Sequence, residues 1–187
     1  MSNKGRLIVI SGPTASGKST LWRRLVDDHA VEFSVSATTR AMREGEVDGR
    51  DYRFLSDEEF ARLVAADAFL EYAQVHGRRY GTLRAPVERA IAEGRDILLE
   101  IDVQGARQLQ GCGLPMVSVF VEPPSLEVLE ERLRTRGTEE ESEMRRRLAV
   151  VAEEMANAPQ YDHRVVNDDL ERMVAEVEGI LGYQRTP

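Results

Sequence analysis

The chain has 187 residues, 42% of them hydrophobic and 31% charged, with a formal net charge of −8 at pH 7. That balance predicts one packed domain, or one core with insertions, and excludes a disordered chain. The acidic surplus argues against general binding to nucleic acid backbone, a lone Cys112 excludes an internal disulfide, and no apolar run approaches the roughly 18 residues that span a bilayer.

In chain order, Arg6 to Ser11 (RLIVIS) reads as a buried strand, Gly12 to Gly17 as a turn, and Lys18 to His29 as a helix with Leu21, Leu25 and Val26 on one face. The segment Ser34 to Gly81 is polar, rich in arginine and aromatics, and strand-like at its ends, which marks an inserted subdomain. Within it Ser56 and Glu59 have the spacing of a capping box. A helix is expected at Val87 to Glu93, between Pro86 and Gly94. Asp96 to Asp102 and Met116 to Val121 read as buried strands. Ser125 caps a helix that stops at Gly137, and Thr138 with Glu141 opens a long helix carrying Met144, Leu148, Val151 and Met155. Val165 and Val166 form a short strand, and Asp169 to Tyr183 a final helix. The alternation is that of an α/β fold with a parallel sheet flanked by helices. Trp22 reads as packing. The histidines (His29, His76, His163) show no zinc-ligand spacing.

Gly12-Pro13-Thr14-Ala15-Ser16-Gly17-Lys18-Ser19 fits G-x-x-x-x-G-K-[ST] directly after a strand and directly before a helix. Glycines there let backbone N–H groups point at phosphate oxygens, and the helix adds its positive N-terminal end. Lysine supplies a mobile charge for the outer phosphates, and the Ser19 hydroxyl is a hard oxygen suited to Mg²⁺. Only Lys4 and Lys18 are lysine among 25 basic residues, which makes Lys18 stand out. Thr20 extends the expected ATP-binding run.

Further along, Phe33-Ser-Val-Ser36-Ala-Thr-Thr-Arg40, Arg43-Glu-Gly45-Glu-Val-Asp-Gly49-Arg-Asp-Tyr52, Phe69-Leu-Glu71-Tyr72, Arg79-Tyr80-Gly81-Thr82, Glu100-Ile-Asp102-Val-Gln-Gly105 and Val165-Val-Asn167-Asp168-Asp169 follow the P-loop in order. Together these segments resemble a bacterial-type guanylate kinase. The resemblance implies a P-loop core (1–33, 85–126 and 151–187), an inserted mixed-strand GMP-binding subdomain (34–84) and a helical lid (127–150). It also implies phosphoryl transfer from ATP to GMP with Mg²⁺, in the cytoplasm, on small molecules with no nucleic acid or membrane partner, by a monomer or small homo-oligomer.

It places Ser36, Arg40, Arg43, Tyr52, Glu71, Tyr80, Thr82 and Asp102 on the GMP site. Their chemistry agrees. Arginines and tyrosine hydroxyls suit a phosphate dianion; Glu71 and Asp102 suit the N1–H and N2–H₂ donors of guanine; the Ser36 and Thr82 hydroxyls suit O6. Two acids in an apolar strand need partners, and alternation puts Glu100 and Asp102 on one face. Glu100 is expected near Mg²⁺, through water, although the family often has aspartate there. Arg132, Arg136 and Arg147 match lid arginines that reach ATP phosphates, with Gly137 as a hinge. Asn167 and Asp168 match an adenine-side loop, where His163 and Arg164 depart from the family's aromatic-aliphatic pair. Other arginines (Arg50, Arg53, Arg78, Arg79, Arg134, Arg145, Arg146) read as solvated charges. Two alternatives are a phosphopeptide-binding module of guanylate-kinase type and a related P-loop kinase of a phosphorylated sugar. The intact P-loop counts against the first, and Glu71 with Asp102 against the second.

Overall fold

A computed structural model describes residues 5–75, 77–136 and 141–184, apart from the side chains at 133, 135, 136 and 141–145. The expected cap at Thr138 and the hinge at Gly137 lie outside the described residues. The chain divides into two compact units, Met1–Leu7 with Val31–Met116, and Ile8–Ala30 with Val117–Pro187. Among the described residues one five-stranded sheet has the order β2 (Val31–Phe33), β7 (Asp96–Glu100), β1 (Leu7–Ser11), β8 (Met116–Glu122), β9 (His163–Val166), and a four-stranded sheet the order β4 (Arg53–Phe54), β3 (Ala37–Thr38), β6 (Arg78–Leu83), β5 (Phe69–Val75).

In the first unit, β2 (Val31–Phe33) pairs in parallel with β7 (Asp96–Glu100), with Val31 opposite Asp96 and Phe33 opposite Leu98. The apolar centre of β7 is buried, and its polar start is closed by Arg6, whose backbone N–H and Nε donate to the two Asp96 carboxylate oxygens at 3.0 and 3.1 Å. Helix α3 (Arg84–Ala92) packs on β7 through buried Val87 and Ala90. It starts two residues before Pro86, because proline needs no N–H partner in a first helical turn.

The four-stranded sheet is mixed. β3 (Ala37–Thr38) runs parallel to β4 (Arg53–Phe54) and antiparallel to β6 (Arg78–Leu83), and β5 (Phe69–Val75) pairs antiparallel with β6. All of its strands fall inside the 34–84 segment. Helix α2 (Asp57–Ala65) covers it: Phe60 stacks on Phe69 with ring centroids 4.5 Å apart, in a core that includes Ala37, Leu55, Leu63, Val64 and Leu83. The capping box forms as the sequence predicts, with the Ser56 hydroxyl accepting from Glu59 N at 3.1 Å and the Glu59 carboxylate accepting from Ser56 N at 2.8 Å.

The strand expected to run to Asp102 ends at Glu100. Asp102 instead caps α4 (Val103–Leu109), its Oδ1 accepting from Gly105 N at 2.8 Å. An aspartate that satisfies an orphan N–H at a helix start outweighs two more residues of strand. Glu100 and Asp102 therefore do not share a strand face.

In the second unit, β1 (Leu7–Ser11) is buried along its length and leads into α1 (Lys18–Asp28), which buries Leu21 and Leu25 one turn apart. β8 (Met116–Glu122) and β9 (His163–Val166) are parallel, with Val121 opposite Val165. Ser125 Oγ accepts from Val128 N at 3.3 Å at the start of α5 (Leu126–Arg136). α6 (Glu141–Met155) follows, and Leu129 and Val151 form a core with Leu148, Met155 and Ala15. α7 (Leu170–Leu181) is capped by Asp169 and ends at Gly182 with φ 72°. It packs on α1 and β9. Among the described residues, no helix is long and apolar enough to cross a membrane.

Ser56→Ala removes one half of the α2 capping box. It should lower unfolding free energy by about 1 kcal/mol, a fall of roughly 2–4 °C in Tm. Calorimetry showing no fall would mean that tertiary packing alone fixes the helix start.

Candidate functional site

The phosphate loop is built in the second unit. Gly12 (φ 146°), Ala15 (φ 65°) and Gly17 (φ 104°) lie at positive φ. The two glycines are also required by their neighbours. A Cβ on Gly12 would lie 2.3 Å from the Val121 carbonyl oxygen, and one on Gly17 would lie 2.0 Å from Asn167 Nδ2. Lys18 Nζ donates back to the Gly12 and Pro13 carbonyls at 2.6 and 2.7 Å, so the loop is closed around its own ammonium. Thr14, Ser19 and Thr20 are exposed. α1 begins with neither an acidic residue in its first turn nor a side-chain cap, which leaves the positive end of its dipole unneutralised. Ser16 Oγ is buried without a hydrogen-bond partner. A buried donor with no protein acceptor inside such a loop suits a phosphate oxygen or ordered water.

Two of the expected nucleotide-contacting residues brace the loop's backbone. Asn167 Nδ2 donates to Ser16 O at 2.7 Å. Arg132 donates from Nη1 to Ala15 O at 3.5 Å and from Nη2 to Asn167 O at 3.3 Å. Asp168 is turned to its own helix, accepting from Asp169 N at 2.7 Å and pairing with Arg172. Arg147 is half-buried on α6, and the Arg136 side chain lies outside the described residues. Arg164, one of the two departures from the family pattern, donates to Glu122 at 2.5 Å.

The carboxylate site is built in the first unit. Phe69 faces Leu83 across the β5–β6 ladder, but a one-residue shift then sets Glu71 opposite Thr82. Without that bulge Glu71 would face Gly81, which has no hydroxyl. Thr82 Oγ1 donates to Glu71 Oε1 at 2.6 Å, and Glu71 is only 5% exposed. Burial pushes its carboxyl up from the usual 4.5 to about 7; the Thr82 hydroxyl opposes the shift and the Asp102 charge adds to it. Asp102 holds Gly105 N–H through one oxygen, as described. The structure thus brings Glu71, Thr82 and Asp102 together around Gly105.

Beside them stand the phosphate candidates. Arg40 lies over the rings of Tyr52 and Phe54, at 5.3 and 5.7 Å. The Tyr52 and Tyr80 rings are 6.0 Å apart, and burial raises the Tyr52 phenol first, with the charge of Glu100 adding to the shift. Arg43 is exposed and Ser36 half-buried. Arg79, read as a surface charge, proves structural: it ties to Asp57 at 2.6 Å and covers the Phe60 ring.

Three residues escaped the sequence reading. Glu46 grips Arg40 with both oxygens, at 3.0 and 2.7 Å, and accepts from Arg43 N at 2.7 Å. Those contacts hold its carboxyl below the usual range. It takes the place of an anion on the Arg40 guanidinium, and its only signal was its position in the same arginine-rich loop. Gly105 ends one of the segments that carry the resemblance but has no role there, and Gln108 lies outside those segments, on a short helix the sequence pattern does not mark.

As for a metal, the Ser19 hydroxyl stands exposed at the start of α1 and the Glu100 carboxylate is half-buried at the end of β7. Among the described residues no three His, Cys, Asp or Glu side chains cluster as ligands. A single hydroxyl oxygen such as that of Ser19 suits a magnesium ion that arrives with a triphosphate and keeps its phosphate and water ligands.

The family model for guanylate kinase matches residues 4–184. A guanylate kinase of Gloeobacter violaceus is 51% identical over 177 residues, which covers 94% of this chain and 86% of the relative. Another, from Paramagnetospirillum magneticum, is 46% identical over 187 residues, 99% of this chain and 87% of the relative. The solved guanylate kinase of Anaplasma phagocytophilum matches with a TM-score of 0.79 at 35% identity, over 96% of this chain and 86% of that one. A sugar kinase of Janibacter matches at 0.52 with 14% identity over 95% of both chains, which shows likeness of fold alone. On these matches, over almost its whole length, the chain belongs to the guanylate kinase family.

Proposed function

We propose that this protein transfers the γ-phosphoryl group of ATP to the phosphate of GMP, giving ADP and GDP, with magnesium accompanying the triphosphate. The observation that carries the reading is the buried carboxyl of Glu71, hydrogen-bonded by Thr82 and set beside Asp102. Such a pair accepts hydrogen bonds, and guanine offers N1–H and N2–H₂ on one edge. The Ser36 hydroxyl answers O6; the single Thr82 proton goes to Glu71, and Thr82 answers O6 only by giving up that bond.

Arg40, Arg43, Tyr52 and Tyr80 then take the GMP phosphate, which displaces the Glu46 carboxylate from the arginines. Lys18 and the amides of the loop hold the outer phosphates of ATP. Magnesium supplies charge neutralisation on the transferring group when bound, with Ser19 as its protein oxygen and Glu100 acting through water. The acceptor is already an oxyanion, so the chemistry needs alignment and charge compensation rather than a general base. Arg132, Arg136 and Arg147 provide the remaining cations from the 127–150 lid.

The first test is a coupled assay with GMP, AMP, CMP and UMP. GMP should be preferred over AMP by at least about 100-fold in kcat/KM, since an adenine edge leaves both acceptors unpaired at roughly 1–3 kcal/mol each. Equal use of AMP refutes the role of Glu71 and Asp102.

Lys18→Ala should lower kcat by about 100-fold or more while the Kd for GMP changes by less than about threefold. A parallel loss of GMP affinity would move Lys18 to the wrong substrate.

The raised Glu71 carboxyl has two consequences. The folded state binds its proton more tightly than the unfolded chain. Its stabilising contribution is therefore present below about 4.5 and lost as pH rises through about 7. Glu71→Gln, which imitates the protonated form, should gain about 1–3 kcal/mol of stability at pH 8 and little near pH 4.5. Conversely, the acceptor form is needed for guanine, so the KM for GMP in the unmodified protein should climb as pH falls below 7. The variant lacks that component, which separates it from the titration of the GMP phosphate. Identical pH profiles for the two proteins would count against it.

A further inference from the structure

The structure assigns to Gly105 and Gln108, one turn apart on α4, the role of positioning residues for the Glu71 carboxylate; this rests on the reading of Glu71 as the guanine acceptor. Gly105 is buried, and a Cβ built on it would lie 2.5 Å from Glu71 Oε2, 3.0 Å from Glu71 Cδ and 3.6 Å from Asp102 Oδ1. No side chain fits there while Glu71 keeps its place. The same residue donates its backbone N–H to Asp102 Oδ1 at 2.8 Å. Gly105 therefore sits against both acids: its missing side chain admits one, and its amide orients the other.

Gln108 fixes the helix against the strand. Its Oε1 accepts from Tyr72 N at 3.1 Å and its Nε2 donates to Tyr72 O at 2.7 Å. β5 is the edge of its sheet, so these backbone groups lie where another strand would otherwise pair. Tyr72 directly follows Glu71, and clamping its peptide groups sets where the Glu71 side chain begins. Thr82 then holds the far end, at Oε1.

A purely structural glycine makes the opposite prediction. Gly105 lies within a helix, where alanine is the better former. If it served only the helix, Gly105→Ala would raise stability and leave GMP use alone. The atoms a new Cβ meets most closely belong to the carboxylate end of one side chain rather than to backbone, so the carboxylate can swing aside, and the helix preference of alanine offsets the loss of the Thr82 bond. Function should then fall without a fall in stability.

The experiment measures KM for GMP, KM for ATP and Tm for Gly105→Ala, Gln108→Ala, Glu71→Gln and the Gly105→Ala/Glu71→Gln double variant. Gly105→Ala should raise the KM for GMP about tenfold or more, with KM for ATP within about twofold and Tm not lowered. Gln108→Ala should raise it about threefold, again without moving ATP. Added to Glu71→Gln, Gly105→Ala should raise the KM for GMP by less than a further factor of about two, because the group it acts through is already altered. The inference is overturned if either single variant leaves the KM for GMP unchanged, or if the Gly105→Ala effect persists in full in the double variant. A Gly105→Ala chain that fails to fold overturns it too, since the clash then falls on more than a movable carboxylate. If Glu71→Gln itself leaves GMP use intact, it is the underlying reading of Glu71 that fails.

Discussion

A buried carboxyl needs partners, and much of the first unit is arranged to give one to Glu71. The ladder between β5 and β6 slips by one residue so that a threonine rather than a glycine stands opposite. A hydroxyl donor 2.6 Å away offsets part of the desolvation. The remaining penalty is not removed, and it shows as a proton affinity lifted to about 7. A polar group left partly unsatisfied in the free protein is one that a ligand can satisfy. The penalty of burial is thereby held at the place proposed for the recognition of guanine donors.

The phosphate loop works by a different logic. Its shape comes from the backbone, and each unusual residue has its own cause. Gly12 yields to a β8 carbonyl and Gly17 to the Asn167 amide. Ala15 holds a left-handed conformation that an L-residue adopts at a cost of about 1 kcal/mol. It is kept there by packing against Leu129 and Val151 and by Arg132 on its carbonyl. The loop is thus coupled to α5 through one arginine and one hydrophobic cluster. Arg132, expected to meet phosphate directly, here supports the loop's backbone.

The sequence was most legible where structure is local. The strand–loop–helix of the phosphate site, the Ser56–Glu59 capping box and the helices with strong apolar periodicity all depend on residues a few positions apart. It was least legible where a short element has no pattern of its own or a side chain's partner lies far along the chain. Asp102 looked like one more strand residue because its partner, the Gly105 amide, belongs to a short helix with no periodic signal. β2 was missed because three residues with one buried valine carry no pattern; its register is supplied by β7. Asn167 and Arg132 carry the right chemistry for a nucleotide, and only folding reveals that they direct it to the carbonyls of Ser16 and Ala15. The segments resembling the family proposed a set of site residues, but gave no role to Glu46, whose carboxylate pairs with Arg40.

The proton on Glu71 also bears on selectivity. Ionised, the carboxylate only accepts, and a purine edge lined with acceptors meets it unfavourably. Protonated, it becomes a donor, and an edge such as that of adenine, with N1 as an acceptor, could pair with it. With the carboxyl poised near 7, ionising it at neutral pH costs little. In the proposed site guanine would draw the proton off at little cost, and adenine, with no second donor on that edge, would still leave the Asp102 acceptor unpaired. A site buried more deeply would hold the proton too firmly for guanine, and one left open to water would lose the penalty that rejects the wrong base. The single hydroxyl of Thr82 and the bare α-carbon of Gly105 set the balance between those two failures, the first by stabilising the charge and the second by letting the helix close over it.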